Sequence, residues 1–184
     1  MGYAEKGTCA APKARKPDVT AERLREVLSY CPETGEFRWN WIGKFNRFVG
    51  KLAGCINGHG YRVILVDGRM YPAHRLAWLH VHGAFPVHQV DHINGNRSDN
   101  RIANLREATL VENVRNRLRQ SNNKSGYKGV SLKDGKWRAC ICLNGKNTEI
   151  GRYGSPIEAA RAYDAAAMAT YGRFARLNFE GDAR

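Results

Sequence analysis

The spacing of apolar residues in the first half of the chain switches between the helical period and the alternation that is typical of strands. Stripes of leucine and valine predict one helix over residues 21–28 and a second over 74–82. Alternation over 37–41 and 61–66 predicts half-buried strands, and Asp67-Gly68 supplies a hairpin turn after the second of them. The first half of the chain therefore reads as a mixture of short helices and short strands.

Polar and capping residues organise the middle of the chain. Residues 89–92 predict a short strand, and the polar, turn-rich run 94–100 predicts a loop. The run 109–112, Thr-Leu-Val-Glu, has the form of a capping box and predicts a helix from Leu110 to about Arg119. Asn113 then falls in the first turn of that helix.

The last third of the chain has the pattern of a three-stranded sheet followed by one helix. The predicted order is strand 127–132, turn Asp134-Gly135, strand 137–143, turn Asn144-Gly145, strand 146–151 and helix 156–171. Asparagine followed by glycine is the strongest two-residue hairpin signal. A serine N-cap followed by proline and then glutamate is a strong helix start.

These patterns predict an α+β chain in four parts. Residues 1–18 lack periodicity and are expected to be a disordered tail. A first domain is predicted over 19–118, a polar linker over 119–125 and a small second domain over 126–180, in which the three-stranded antiparallel sheet packs on one helix.

The net charge of the chain indicates which class of partner it binds. The 184 residues carry 30 Lys plus Arg against 17 Asp plus Glu, a formal net charge of +13, which favours polyanions. A membrane partner is not expected, because no apolar run approaches the roughly 20 residues of a spanning helix. The N-terminal residues have basic positions but no apolar core behind them, so no secretory signal is expected. Five scattered cysteines without a CxxC pair predict reduced thiols in a cytosolic protein.

Candidate chemistry centres on Asp91 and His92, which are followed by Asn104 and Asn113 at separations that a loop and one helical turn can close. A carboxylate suits a hard cation, an amide oxygen can complete the site, and an imidazole can take a proton from water. Asn104 can orient that imidazole through a hydrogen bond. Neighbouring strand residues point to opposite faces, so Asp91 and His92 share one site only at the end of the strand. With the basic surroundings, these residues predict phosphodiester hydrolysis that uses Mg²⁺ or Mn²⁺.

A family resemblance rests on these same residues. The chain resembles the HNH homing-type endonucleases of phages and mobile elements through the segments 74–78, 90–96, 104–106 and 112–113. The resemblance implies a ββα-metal finger (His-Me finger) in which His92 activates water and Asp91 and Asn113 hold the metal. Asn104 corresponds to the central asparagine of the family name. Asn113 stands where many members have a final histidine.

A second resemblance covers the C-terminal third. The segments 126–130, 136–139, 159–167 and 177–179 resemble the ethylene-response-factor type of DNA-binding domain (apetala-like). In that family the three-stranded sheet enters the major groove, which is wide enough for β structure. Ser131, Asp134 and Cys142 fall near places where the plant pattern has further Arg and Trp, so its base sequence is not carried over.

Basic positions on both sides of the linker are the predicted DNA contacts. They are Arg115, Arg117, Arg119, Lys124, Lys128, Lys133, Lys136, Trp137, Arg138 and Arg152. The three arginines from 115 to 119 either form a solvated helix face or track phosphates next to the site.

The predicted function is a metal-dependent DNA endonuclease of the homing type, with His92 and Asn104 as catalytic residues and Asp91 and Asn113 as metal ligands. One site per chain predicts that a monomer nicks one strand of duplex DNA, with a dimer as the alternative. The expected setting is the cytoplasm of a bacterial host cell, with the gene carried by a phage or mobile element. The rival hypotheses are a non-catalytic DNA-binding regulator with a vestigial finger and an RNA-binding protein that stacks bases on aromatic side chains.

Overall fold

The computed structural model describes residues 18–40, 46–117, 119 and 122–179. The predicted tail, apart from Asp18, and the last predicted strand residue, Trp41, lie outside this part. The helices of the described residues are α1 (Ala21–Val27), α2 (Ala73–His82), α3 (Leu110–Arg115) and α4 (Pro156–Tyr171). The strands are β1 (Leu28–Cys31), β2 (Glu36–Trp39), β3 (Cys55–Ile56), β4 (Arg62–Val66), β5 (Arg69–Pro72), β6 (Gln89–His92), β7 (Leu105–Ala108), β8 (Val130–Lys133), β9 (Lys136–Leu143) and β10 (Lys146–Tyr153).

The first unit is built on the predicted apolar stripes. Leu24 of α1, Phe37 of β2, Ile64 of β4 and Leu76 of α2 are fully buried in one core. The strands form two antiparallel sheets, β1-β2 and β3-β4-β5. The β4–β5 turn has positive φ at both Asp67-Gly68 positions, 47° and 79°, as the predicted two-residue turn requires.

Strands β6 and β7 pair antiparallel, and α3 follows them in the chain. The register places Asp91 directly opposite Arg106. Both halves of the capping box predicted at Thr109 are formed, which confirms the start of α3. The predicted end near Arg119 is wrong, because Asn116 already caps the helix and its side chain turns back to the His92 carbonyl at 2.8 Å.

The second unit is a three-stranded antiparallel sheet, in the order β10-β9-β8, with α4 packed against it. Both predicted two-residue turns have positive φ at their first residues, 51° at Asp134 and 49° at Asn144. The Ser155 capping box is complete, with Pro156 in the first turn. The small residues Ala139, Ala159, Ala160 and Ala167 are fully buried, which lets the helix approach the sheet closely.

The two units contact each other around the end of α3. Lys128 Nζ donates to the carbonyl oxygens of Arg115 and Arg117 at 2.5 and 2.8 Å. The Arg115 guanidinium lies over the Tyr171 ring, 4.7 Å from its centroid. The segment 119–125 therefore connects two units that touch, and the domain boundary placed there stays a prediction. Among the described residues, no helix has the length and apolar character needed to cross a bilayer.

Candidate active site

Asp91 lies on β6 with its carboxylate enclosed, and the residue is 5 % exposed. Its Oδ2 accepts from Nε and Nη2 of Arg106 at 2.9 and 2.8 Å. Its Oδ1 accepts from Nδ2 of Asn116 at 3.1 Å. Oδ1 thus accepts one described hydrogen bond. Because a carboxylate oxygen has two lone pairs, it can bind one further ligand.

His92 follows on the other side of the strand and is also 5 % exposed. Its Nε2 lies 3.3 Å from Oδ1 of Asn100. The Asn100 amide nitrogen donates to the Ser98 carbonyl at 3.2 Å, which fixes the oxygen toward the imidazole. An oxygen of this kind only accepts, so Nε2 carries the hydrogen of the neutral ring and Nδ1 keeps the lone pair.

Aromatic side chains surround the His92 ring. The His74 ring is edge-on to it at 5.0 Å between centroids, and the Tyr61 ring lies 6.0 Å away. Burial lowers the pKa of His92 from its ordinary value, while the hydrogen bond to Asn100 acts in the opposite direction. Burial also lowers the pKa of His74, to about 3, and leaves that imidazole neutral. The two rings therefore do not repel each other as cations near neutral pH.

The hydrogen bond predicted between Asn104 and the imidazole is made by Asn100 instead. Asn104 Oδ1 accepts from the Asn94 backbone N–H at 3.0 Å, and its Nδ2 donates to the Asp99 carbonyl at 2.9 Å. Asn104 therefore closes the loop that carries Asn100, and acts on His92 only through that loop. The sequence signal for Asn100 was weak, because it stands in a run of loop residues rich in polar side chains.

The two asparagines of the α3 region have different partners. Asn113 Nδ2 donates to Gln89 Oε1 at 2.6 Å, two residues before Asp91 on β6. Asn116 is 5 % exposed, and its Nδ2 reaches Asp91, the His92 carbonyl and the Ile93 carbonyl. The structure thus brings Asn116 rather than Asn113 to Asp91, and sequence reasoning missed Asn116.

The donor set suits a Mg²⁺-type ion. Mg²⁺ keeps several waters and takes one or two protein carboxylates, so Asp91 with amide oxygens is a sufficient set. Within the described residues, no group of three or more His, Cys, Asp and Glu side chains could hold a metal ion. Asn116 turns its amide nitrogen toward Asp91, and Asn113 donates its amide nitrogen to Gln89, so neither amide oxygen is placed at Asp91 by a described contact.

Some of the predicted DNA contacts lie at or near the contact between the two units, and the others lie on the sheet of the second unit. Arg115 and Lys128 are engaged between the units, and Lys128 is half-buried, with its pKa lowered to about 8 mainly by that burial. Arg117, Arg119 and Lys124 are exposed. None of these positions contacts His92 among the described interactions.

The face of the second sheet that is turned away from α4 is basic. Lys133 pairs across the strands with Lys136, and Arg138 pairs with Arg152. Like charges directly opposite each other destabilise a sheet, unless another charge neutralises them. Arg152 is paired with Glu149 at 2.9 Å, and the Nε of Arg138 is buried without a hydrogen-bond partner.

Trp137 is on the opposite face from these cations. It pairs with Tyr153 and packs against the core of the second unit. Alternation along β9 turns this side chain toward α4, and its contact with DNA stays a prediction.

Comparison with known proteins identifies the family. The profile described as HNH endonuclease matches residues 71–115, which span β5 to the end of α3 and include Asp91 and His92. An uncharacterized HNH endonuclease of Acanthamoeba polyphaga mimivirus is 30% identical over 142 residues, 77% of this chain and 71% of the relative. The chain belongs to the HNH endonuclease family. It is an endonuclease, as predicted, and the family implies a DNA substrate and a divalent metal.

A second relative matches a shorter stretch. An ethylene-responsive transcription factor of Arabidopsis thaliana is 44% identical over 63 residues, which is 33% of this chain and 27% of that protein. The chain thus spans about a quarter of the length of this relative. No solved structure matches the chain significantly.

Proposed function

We propose that the chain is a metal-dependent endonuclease that nicks one strand of duplex DNA at a ββα-metal finger formed by β6, β7 and α3. One observation carries the proposal. The buried His92 has its Nε2 held by Asn100, and the adjacent, likewise buried Asp91 has a carboxylate oxygen, Oδ1, whose described partner is the Asn116 amide. General base and cation ligand are the two groups that phosphodiester hydrolysis needs side by side.

His92 takes the proton of the attacking water. Since Asn100 occupies Nε2, the proton moves to Nδ1, and the imidazolium that forms is stabilised by Asn100 Oδ1 and by the nearby Asp91 charge. Burial keeps the ring neutral before the reaction, because it lowers the pKa of His92. Asn104 supports this step by closing the loop that carries Asn100.

Asp91 would hold the divalent ion, Mg²⁺ or Mn²⁺. Asn113, which in the structure binds Gln89 and not Asp91, would supply an amide oxygen by turning toward that ion. The ion, when bound, stabilises the negative charge that develops on the phosphate and the leaving 3′-oxygen. Arg106 and Asn116 keep the carboxylate in place, since each binds one of its two oxygens. The product is expected to carry a 5′-phosphate.

The second unit is proposed to bind the duplex through the basic face of its sheet. The like-charged pair Lys133-Lys136, together with the unpartnered Nε of Arg138, favours an anionic ligand on that face. The similarity to a plant transcription factor supports the same assignment. A monomer in the host cytoplasm and a homing role complete the proposal.

Supercoiled plasmid tests the catalytic part. With Mg²⁺ or Mn²⁺, the wild-type protein should convert it to open circles before any linear form appears, and ligase should reseal the nicks if they carry a 5′-phosphate. His92→Ala should lower the rate by at least about 100-fold, since a general base contributes 10²–10⁴. DNA binding by this variant should persist.

The matched control is His88→Ala, because His88 is an exposed histidine four residues earlier. It should nick at the wild-type rate. If wild type and His92→Ala relax the plasmid equally, the proposed role of His92 is wrong.

A further inference from the structure

Arg106 joins the carboxylate of the first unit to the end of the second unit. Its Nε and Nη2 donate to Oδ2 of Asp91, as described above. Its guanidinium also lies over the Phe174 ring, 4.2 Å from the centroid, and its Nη1 donates to the Arg173 carbonyl. Arg173 and Phe174 belong to the short 3-10 helix that follows α4. One side chain therefore contacts the proposed metal ligand and the second unit at the same time.

The pair is largely buried. The side chains of Arg106 and Asp91 are 12% and 6% exposed. A buried carboxylate without a partner is strongly unfavourable, so the protein needs a cation at Asp91 before any metal binds. Arg106 supplies it, and its fork geometry suits a carboxylate.

The same guanidinium opposes a second cation. A divalent ion at Asp91 meets the positive charge of Arg106 a few ångströms away, and the repulsion weakens its binding. Oδ1 carries only the hydrogen bond from Asn116, whereas both donors of Arg106 are on Oδ2. Oδ2 of the carboxylate is thus held by Arg106, which contacts the second unit, and Oδ1 is the oxygen with a lone pair left for an ion.

We propose that Arg106 is a counter-ion of Asp91 whose position is fixed by Arg173 and Phe174, so that the docked second unit sets the affinity of the nuclease site for its divalent ion. The inference rests on the metal role of Asp91 under the proposed function. Arg106 is a positioning residue that acts through Asp91. The second unit then has a role besides DNA binding, because its contact with Arg106 changes the affinity of Asp91 for the divalent ion.

Binding of Mn²⁺ to the full chain, measured without DNA by the electron paramagnetic resonance signal of free Mn²⁺, tests this. Arg106→Gln removes the opposing charge, and Mn²⁺ should bind about tenfold more tightly. Phe174→Leu removes the ring under the guanidinium, so Arg106 leaves Asp91 more readily and Mn²⁺ should bind about threefold more tightly. Unchanged or weaker binding in both variants overturns the inference.

The double variant tests the route. If Phe174 acts through Arg106, adding Phe174→Leu to Arg106→Gln changes the Mn²⁺ affinity no further. A role of Phe174 in packing alone would give the same change in both backgrounds, which would overturn the proposed route. Should Arg106→Gln fail to fold, Phe174→Leu decides alone, with tighter binding required.

The matched control is Arg23→Gln. Arg23 also makes two hydrogen bonds to one carboxylate, that of Asp67, at 3.0 and 3.1 Å, but on an exposed surface of the first unit. Its loss removes the same charge and should leave Mn²⁺ affinity unchanged. A gain as large as that of Arg106→Gln would show a general charge effect and sink the inference.

Asp91→Ala separates this inference from the proposed function. If wild type binds no Mn²⁺, or Asp91→Ala binds it equally well, the proposed metal site fails and this inference fails with it. If Asp91→Ala abolishes binding while Arg106→Gln and Phe174→Leu leave it unchanged, the metal site stands and only the coupling is wrong.

Discussion

At the scale of single residues, the buried His74 beside His92 makes the stability of the fold depend on pH. Its ring is buried next to His92, and its Nδ1 has no hydrogen-bond partner. Burial lowers its pKa from 6.5 to about 3. The folded chain therefore excludes a proton that the unfolded chain accepts below pH 6.5, and stability falls as the pH drops from that value toward 3.

Replacing His74 by phenylalanine should remove this part of the acid sensitivity. The free energy of unfolding of the wild-type protein should fall between pH 7 and pH 5 by roughly 2 kcal/mol more than that of His74→Phe, since one pKa unit corresponds to about 1.4 kcal/mol. Urea denaturation of both proteins at the two pH values measures the difference. His88→Phe, at an exposed histidine, should behave as wild type, and an equal pH dependence in His74→Phe would contradict the assignment.

At the scale of elements, the hairpin β1-β2 supports the loop that holds His92. The Tyr30 hydroxyl donates to the Asn100 carbonyl at 2.8 Å. Gly35, in the turn between the two strands, has φ +73° and lies so close to the loop that an added Cβ would be 2.4 Å from the Arg101 nitrogen and 2.5 Å from the Asn100 carbonyl carbon. The backbone of the loop and the backbone of the hairpin are thus in direct contact.

Gly35→Ala should therefore act on catalysis from outside the active site. The added methyl group must push the Asn100–Arg101 backbone away, which takes Asn100 Oδ1 from His92 Nε2 and lowers kcat. The free energy of unfolding should fall by about 1–3 kcal/mol from overpacking, in addition to the strain of a positive φ. Plasmid nicking and urea denaturation measure the two effects.

Gly50→Ala separates the two causes. Gly50 also has φ +73°, but nothing lies within 4 Å of its added Cβ. It should lose only the stability due to backbone strain and keep the wild-type nicking rate. If both variants nick alike, the contact between hairpin and loop does not position the active site.

The periodicity of apolar residues predicted the helices and strands that bury an apolar stripe. It missed the elements whose bounds depend on partners far away in the chain. Helices α1, α2 and α4, and the hairpin turns, were confirmed because caps, glycines and apolar spacing all act locally. Strand β7 was not predicted, since Leu-Arg-Glu-Ala has little strand character by itself. It is a strand through its pairing with β6, which lies far from it along the chain and places Arg106 opposite Asp91. The end of α3 was wrong for the same reason, as Asn116 bonds to residues more than twenty positions away.

The candidate site was predictable in its residue types but less so in its partners. Asp91 and His92 are both buried, and His92 is the last residue of β6, the strand end at which the two were expected to share one site. The hydrogen bond expected from Asn104 belongs to Asn100, and the amide expected from Asn113 at Asp91 belongs to Asn116. In each case the alternative asparagine is three or four residues away, a spacing at which loop curvature and one helical turn decide which amide points inward.

At the scale of the whole molecule, the charge of +13 is expected to act through particular faces. Lys133 and Lys136 lie directly opposite each other on β8 and β9, on the side turned away from α4. Lys146 pairs with Leu143, whose side chain packs against the core of the second unit. The Lys146 side chain therefore leaves the strand on the face of the sheet that is turned toward α4. The sheet thus carries exposed lysines on both faces, and only one face is proposed to contact DNA.

Salt dependence distinguishes the two faces. If about six phosphates are contacted, the affinity of the wild-type protein for duplex DNA should fall with a log–log slope of roughly −5 between 50 and 200 mM salt. The double variant Lys133→Gln/Lys136→Gln loses two contacts, and its slope should become shallower by about 2. Lys146→Gln should keep the wild-type slope, because its side chain starts on the helix side. Fluorescence anisotropy with a labelled duplex measures all three, and an equal slope in the double variant would place the DNA on another surface of the molecule.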